Sequence, residues 1–187
     1  MKVIKQNMKK LVVAMMVALM ATVSVCAQRV KRFETETLLR AEELMNEGKL
    51  DESLTYFEAE LKENPKNAYA YFLVTTVYME LGRYDEALPA IDKALKYMPK
   101  SHKEFRGIAH ALKATIHEKS QEWEEAIEQL TICVSVFSKD ASSLNHLAVA
   151  HRQRGEIYYK LGQHELAEQD FKKSEELKSL MAESSSK

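Results

Sequence analysis

The chain has 187 residues, of which 45% are hydrophobic and 29% are charged, and its formal net charge is −1. Five glycines and three prolines are too few for a collagen-like or low-complexity chain, so the composition is that of an ordinary soluble, helix-rich protein. The length alone allows one or two domains.

The N-terminus has the layout of a secretory signal peptide. Four lysines and no acidic residue precede an apolar run from Leu11 to Ala21, and small residues follow as far as Ala27. A basic start, an apolar centre and small residues before the cut are the three parts of such a signal. We therefore expect residues 1–27 to be removed between Ala27 and Gln28, which makes the mature protein exported, to the periplasm or the medium.

Two alternatives concern the membrane. A retained anchor is disfavoured because the uninterrupted apolar run is short for a span of about 20 residues. Lipidation of Cys26 is the second alternative, and it would make the protein an outer-membrane lipoprotein. Val25 is bulkier than the small residue that bacterial lipoprotein signals place before the cysteine.

Cleavage changes the charge and the cysteine count. Removing residues 1–27 takes away four lysines and no acidic residue, which leaves 23 basic and 28 acidic residues and a formal net charge of −5. This balance argues against nucleic acid as the partner, because that binding needs clustered Lys and Arg. Cys133 is then the single cysteine, so no internal disulfide forms, and its position predicts a buried thiol.

An internal repeat organises the rest of the chain. Residues 68–99 read as two short helices with apolar residues at helical spacing, separated by Gly82 and closed by Pro99. Moving back 34 residues reaches Gly48 and Pro65, so residues 48–65 repeat residues 82–99. Two such helices cannot bury an apolar face alone and must stack on further copies.

Two more copies follow. The sequence from Trp123 to Ala126 repeats Tyr84-Asp-Glu-Ala87 after 39 residues, and the sequence from His164 to Ala167 repeats it again after 41. The extra residues predict longer first helices in the third and fourth copies. The polar outer face of the last helix is typical of a capping helix.

This pattern resembles the tetratricopeptide repeat, a 34-residue helix–turn–helix unit with the pattern W-x2-L-G-x2-Y, then A-x3-F, then P. The second copy reads Tyr71-x2-Val74-Thr75-x2-Tyr78, Ala87-x3-Ile91 and Pro99; the fourth reads His151-x2-Arg154-Gly155-x2-Tyr158 and Ala167-x3-Phe171. The resemblance implies an all-α fold, a right-handed α-solenoid of about four helix-turn-helix repeats.

The resulting domain organisation has four parts. We predict a signal peptide at 1–27, a lead-in at 28–33, the solenoid at 34–180 and a disordered tail at 181–187. Within the solenoid, the repeats are predicted at about 34–67, 68–101, 102–140 and 141–180.

Catalytic and metal-binding patterns are missing from the sequence. It contains no HExxH, CxxC or Gly-rich phosphate loop. His110 and His117 share a helix face, but polar surface or groove histidines explain them better than a metal site. We therefore predict a protein that is not an enzyme and has no cofactor and no metal.

The resemblance implies a concave groove lined by the first helix of each repeat. Superposing the copies gives the groove residues Tyr69, Phe72, Thr76, Met79, Glu118, Arg152, Glu156 and Tyr159. Their aromatic and Met content favours an apolar helix or extended segment of a partner. The alternative is that Tyr69 and Phe72 only close the core between repeats.

The resemblance implies a protein–protein interaction scaffold or adaptor that binds a peptide or helix in the groove, and the signal peptide places this expected function in the bacterial cell envelope. A lipid-anchored accessory subunit of an outer-membrane assembly or uptake complex is the alternative. The expected partner is a protein or peptide, and a membrane is a partner only if Cys26 is lipidated.

Overall fold

The computed structural model describes residues 35–138 and 143–185, with side chains as far as residue 183. The predicted signal peptide, its cleavage between Ala27 and Gln28, the lipidation of Cys26 and the lead-in at 28–33 lie outside the described residues. These four statements stay predictions.

Eight α-helices make up the described part of the chain, in which no residue belongs to a strand. They are α1 Glu36–Asn46, α2 Leu50–Glu63, α3 Ala68–Glu80, α4 Tyr84–Tyr97, α5 Lys103–Lys119, α6 Trp123–Phe137, α7 Leu144–Lys160 and α8 His164–Ser185. Each odd-numbered helix packs on the helix that follows, and each pair packs on the next. The prediction of an all-α fold built from four helix pairs is confirmed.

The turn inside each pair requires one residue in the left-handed conformation. Gly48, Gly82 and Gly162 supply it with φ of 77°, 73° and 73°. The third pair has no glycine there, and Gln121 takes a φ of 62° instead. The backbone N–H of Gln121 donates to Glu118 O at 3.1 Å, which matches the bond from Gly82 N to Met79 O. The same helix-ending motif therefore forms without glycine.

Small side chains let the two helices of a pair approach. Ala87, Ala126 and Ala167 hold equivalent places in α4, α6 and α8 and are fully buried. Ser53 holds this place in α2; it is also fully buried, and its hydroxyl donates to Leu50 O at 2.7 Å. Because the hydroxyl finds a partner within its own helix, a polar residue is accommodated in the core.

Two glycines on first helices meet aromatic rings. A Cβ at Gly107 would lie 2.5 Å from the Phe137 ring, and one at Gly155 would lie 2.8 Å from the Phe171 ring. Phe137 is buried and stacks on His146 with ring centroids 4.9 Å apart, whereas Phe171 is partly exposed. The fold thus needs the absence of a side chain at both positions, but the neighbouring ring has more freedom at Gly155.

The end of the chain differs from the prediction. The sequence predicts disorder at 181–187, but α8 continues to Ser185, so the prediction is wrong for residues 181–185. Leu177 is buried near the end of this helix. With 22 residues, α8 is eight residues longer than the second helices α2 and α4, which have 14 each.

Candidate functional site

Two of the predicted groove residues belong to the core. Phe72 is 1% exposed and Met79 is 4% exposed, so neither can line an open surface. Phe72 packs edge-on against Phe105 of α5, with ring centroids 5.9 Å apart. The prediction of an aromatic and Met-rich trough is wrong for these two residues, because the next repeat covers them.

Three predicted groove residues lie partly exposed on successive first helices, and we call Tyr69, Thr76 and Glu118 the first-helix surface. Tyr69 packs edge-on against Phe105 at 6.1 Å. The Thr76 hydroxyl donates to Leu73 O at 2.7 Å. Tyr69 and Thr76 are therefore held by neighbouring groups while part of each side chain stays accessible to solvent.

Glu118 joins the third repeat to the fourth. Lys160 Nζ lies 2.6 Å from Glu118 Oε1 and 5.1 Å from the centre of the Trp123 ring. Gln153 of α7 donates to both Glu118 and Thr115 of α5, at 3.2 and 3.0 Å. These polar contacts fix the two first helices in register, so Glu118 is already committed to a structural bond.

The last three predicted residues, Arg152, Glu156 and Tyr159, lie on α7 and are exposed. Arg152 Nε lies 3.1 Å from Glu156 Oε1, and both side chains are about half exposed. Tyr159 is 61% exposed and meets His164 edge-on at 5.1 Å. No further repeat follows α8 among the described residues, which leaves this face open.

Sequence reasoning missed a buried charge cluster between α7 and α8. Asp170 is 5% exposed and accepts hydrogen bonds from Arg154 Nε at 2.7 Å and Nη2 at 2.9 Å, and its Oδ1 lies 2.7 Å from His151 Nδ1. Burial alone would raise the pKa of Asp170, but the bonds from Arg154 and His151 outweigh it and hold that pKa below 3.8. His151 and Arg154 replace the W and L of the repeat pattern, and that departure was the available signal.

The histidines predicted to be surface or groove residues are engaged inside the repeats. His110 Nδ1 lies 2.9 Å from Gln129 Oε1, and His117 Nδ1 lies 2.6 Å from Glu122 Oε2. His117 is buried, which corrects the expectation that it lies on the surface. Among the residues that the structure describes, no three His, Cys, Asp or Glu side chains are grouped as metal ligands.

Cys133 has the environment of a structural thiol. Its side chain is buried in α6, as its sequence position predicts. Burial raises the pKa of the thiol to about 12, so almost none of it is thiolate at neutral pH. Separately, none of the described helices combines the length and the apolar character that crossing a membrane requires.

Comparison with known proteins agrees with this arrangement of helices. Family models described as tetratricopeptide repeat match residues 38–102, 75–132 and 142–179. The chain belongs to the tetratricopeptide repeat family. Repeats of this family generally serve as non-enzymatic scaffolds for protein–protein interaction, so a protein partner is expected for this chain as well.

Solved structures share the fold at low sequence identity. A MamA fragment from Desulfovibrio magneticus RS-1 is 20% identical, with a TM-score of 0.66 over 76% of this chain and 74% of the fragment. The C-terminal part of a repeat-containing protein from Cytophaga hutchinsonii is 21% identical, with a TM-score of 0.61 over 73% of this chain and 50% of that one.

One curated relative resembles part of the chain. It is the tetratricopeptide repeat and J domain-containing co-chaperone DNJ1 of Fusarium oxysporum f. sp. lycopersici, 30% identical over 92 residues. The match spans 49% of this chain and 17% of the co-chaperone. It therefore concerns the repeats and not the whole of that protein.

Proposed function

We propose that the mature protein is a non-enzymatic adaptor of the bacterial cell envelope that binds a peptide or helix of a partner protein along its first-helix surface. The observation that carries this proposal is the position of Tyr69, Thr76 and Glu118. All three lie on first helices and keep part of their side chains accessible, while Phe72 and Met79 of α3 pack the core.

The chemistry of this surface favours an extended or helical segment with mixed polarity. Tyr69 offers an aromatic ring, and Thr76 and Glu118 offer a hydroxyl and a carboxylate. A purely apolar ligand would remove water from the partly exposed side chains of Thr76 and Glu118, which costs free energy even though both groups keep their bonds within the chain. The formal charge of −5 after removal of residues 1–27 disfavours nucleic acid.

Site-specific photo-crosslinking in cells tests the surface. A photoreactive phenylalanine analogue replaces Tyr69 or Thr76 in one set of strains and Lys96, an exposed residue on the second helix of the same repeat, in the control. We expect Tyr69 and Thr76 to crosslink the same protein and Lys96 not to do so. Equal capture at all three positions, or none at the first two, would refute the proposal.

Location in the envelope rests on the N-terminal sequence. Intact mass of the protein from fractionated cells distinguishes the two forms. A soluble chain that begins at Gln28 supports a diffusible adaptor. A diacylated chain that begins at Cys26 in the membrane fraction supports the alternative, a lipid-anchored accessory subunit of an outer-membrane assembly or uptake complex. An uncleaved chain in the cytoplasm contradicts both.

A further inference from the structure

The repeats provide an internal comparison of equivalent positions. Leu38 of α1 and Phe72 of α3 occupy the same repeat position and are each 1% exposed, whereas the side chain of the equivalent Arg152 of α7 is 58% exposed. Met45 and Met79 are buried, whereas the equivalent Tyr159 is 61% exposed. In repeats 1 and 2 this face is covered by the first helix of the following repeat. In repeat 4 the same face is exposed to solvent.

The second helix of the last repeat shows the same difference. Phe57, Ile91 and Leu130 are fully buried in α2, α4 and α6, but the equivalent Phe171 of α8 is partly exposed. Phe171 and Tyr159 line an open cleft of about 530 Å³. The other lining residues are His164, Ala167, Glu168, Lys172 and Glu175.

The chain itself shows what fits such a face. In each of repeats 2 to 4, the first helix covers the preceding repeat and carries a buried alanine on that side. A Leu or Gln follows three positions after the alanine, and a buried Val or Ile follows seven positions after it. The three stripes are Ala70-Leu73-Val77, Ala109-Leu112-Ile116 and Ala150-Gln153-Ile157.

The rim of the cleft distinguishes it from the interfaces between repeats. Glu168 and Glu175 are exposed in α8, where the equivalent residues of α4 are Leu88 and Leu95. An apolar centre surrounded by charged residues is the composition of a reversible protein interface, in which the centre contributes most of the affinity.

From these observations we propose that the α7–α8 face, centred on Tyr159 and Phe171, binds an amphipathic helix of a different protein. The docking helix presents a small residue followed by apolar residues three and seven positions later, with polar residues on both sides. This inference rests on the proposed protein-binding function but assigns it a second surface, separate from Tyr69 and Thr76.

A second copy of this chain does not fit the face. In α1 the stripe that would dock consists of Glu36, Leu39 and Glu43. Glu36 stands where the covering helices have Ala, and Glu43 stands where they have Val or Ile. Docking α1 would bury two carboxylates against an apolar centre, which is costly without paired cations. The N-terminal face is thus adapted to water, and stacking of copies into a filament is opposed.

A peptide from the chain itself serves as the probe. A labelled peptide of residues 103–119, which carries the Ala109-Leu112-Ile116 stripe, is titrated into the full mature protein and followed by fluorescence anisotropy. We expect saturable binding that Tyr159→Ala weakens about tenfold or more, because Tyr159 is an aromatic anchor at the centre of the face. A peptide with Leu112→Glu should not bind.

Matched variants give the assay its controls. Leu180→Ala and Leu39→Ala each remove an exposed leucine outside the cleft and should leave peptide binding unchanged. Absence of binding, or equal binding to Tyr159→Ala, would overturn the proposal. So would concentration-dependent self-association that both Tyr159→Ala and Leu39→Ala abolish, since a second copy would then be the occupant.

The two surfaces fail independently. If photo-crosslinking at Tyr69 and Thr76 captures no partner while the peptide still binds at Tyr159, only the proposed function of the first-helix surface is lost. If crosslinking succeeds and the peptide does not bind, only the α7–α8 face is refuted.

Discussion

Replacing Asp170 by alanine should be among the most destabilising single changes in the fourth repeat. The carboxylate accepts two hydrogen bonds from Arg154 and lies within hydrogen-bond distance of His151, and it is buried between α7 and α8. Its removal leaves the Arg154 guanidinium, whose side chain is only 16% exposed, without its acceptor. Breaking a buried ion pair in this way typically costs about 3–5 kcal/mol.

We expect the lower end of that range, about 3 kcal/mol, because Arg154 keeps one bond to Thr131 at 2.9 Å and can still reach water. The control is Glu156→Ala on the same helix, which removes an exposed pair with Arg152. Exposed i,i+4 pairs are worth about 0.3–0.5 kcal/mol, so the two variants should differ severalfold.

Urea unfolding gives the total loss of free energy, and hydrogen exchange of the amides in α7 and α8 shows whether the loss is local. A double-mutant cycle with Arg154→Ala should give a coupling of about 1–3 kcal/mol. The reasoning fails if Asp170→Ala costs no more than Glu156→Ala, or if the losses of Asp170→Ala and Arg154→Ala simply add. Because the pKa of Asp170 is held below 3.8, its contribution is complete at neutral pH and is lost only as the pH falls below that value.

Three further predictions follow from burial. Burial lowers the pKa values of His110 and His146 below 6.5, so these two side chains bind protons more readily in the unfolded chain than in the folded one. The free energy of unfolding should therefore fall as the pH drops below 6.5, and it should fall less in His146→Phe. Cys133 should react with a thiol reagent only as the protein unfolds; fast reaction of the native protein would contradict its burial and its pKa of about 12. Gly107→Ala should lower the midpoint of thermal unfolding more than Gly155→Ala, because the Phe137 ring that the new methyl group meets is buried. Overpacking of this kind costs about 1–3 kcal/mol. An equal shift for both variants would show that the two rings yield equally.

The repeat pattern determined much of the fold in advance. Gly48, Gly82 and Gly162 marked three turns, because a left-handed residue must end the first helix of each pair. The buried alanines at equivalent places set the register of the second helices, and the position of Cys133 followed from that register. These features are local or periodic, so a single sequence contains them.

Only the tertiary structure decided which residues of the first helices reach solvent. Helical spacing groups Phe72, Met79, Arg152 and Tyr159 on equivalent faces, but it does not reveal whether another helix covers that face. Phe72 and Met79 are buried because a repeat follows them, and Tyr159 is exposed because none follows α8 in the described chain. The Asp170 cluster needed the structure for the same reason: its partners lie 16 and 19 residues away along the chain and meet only when α7 and α8 pack.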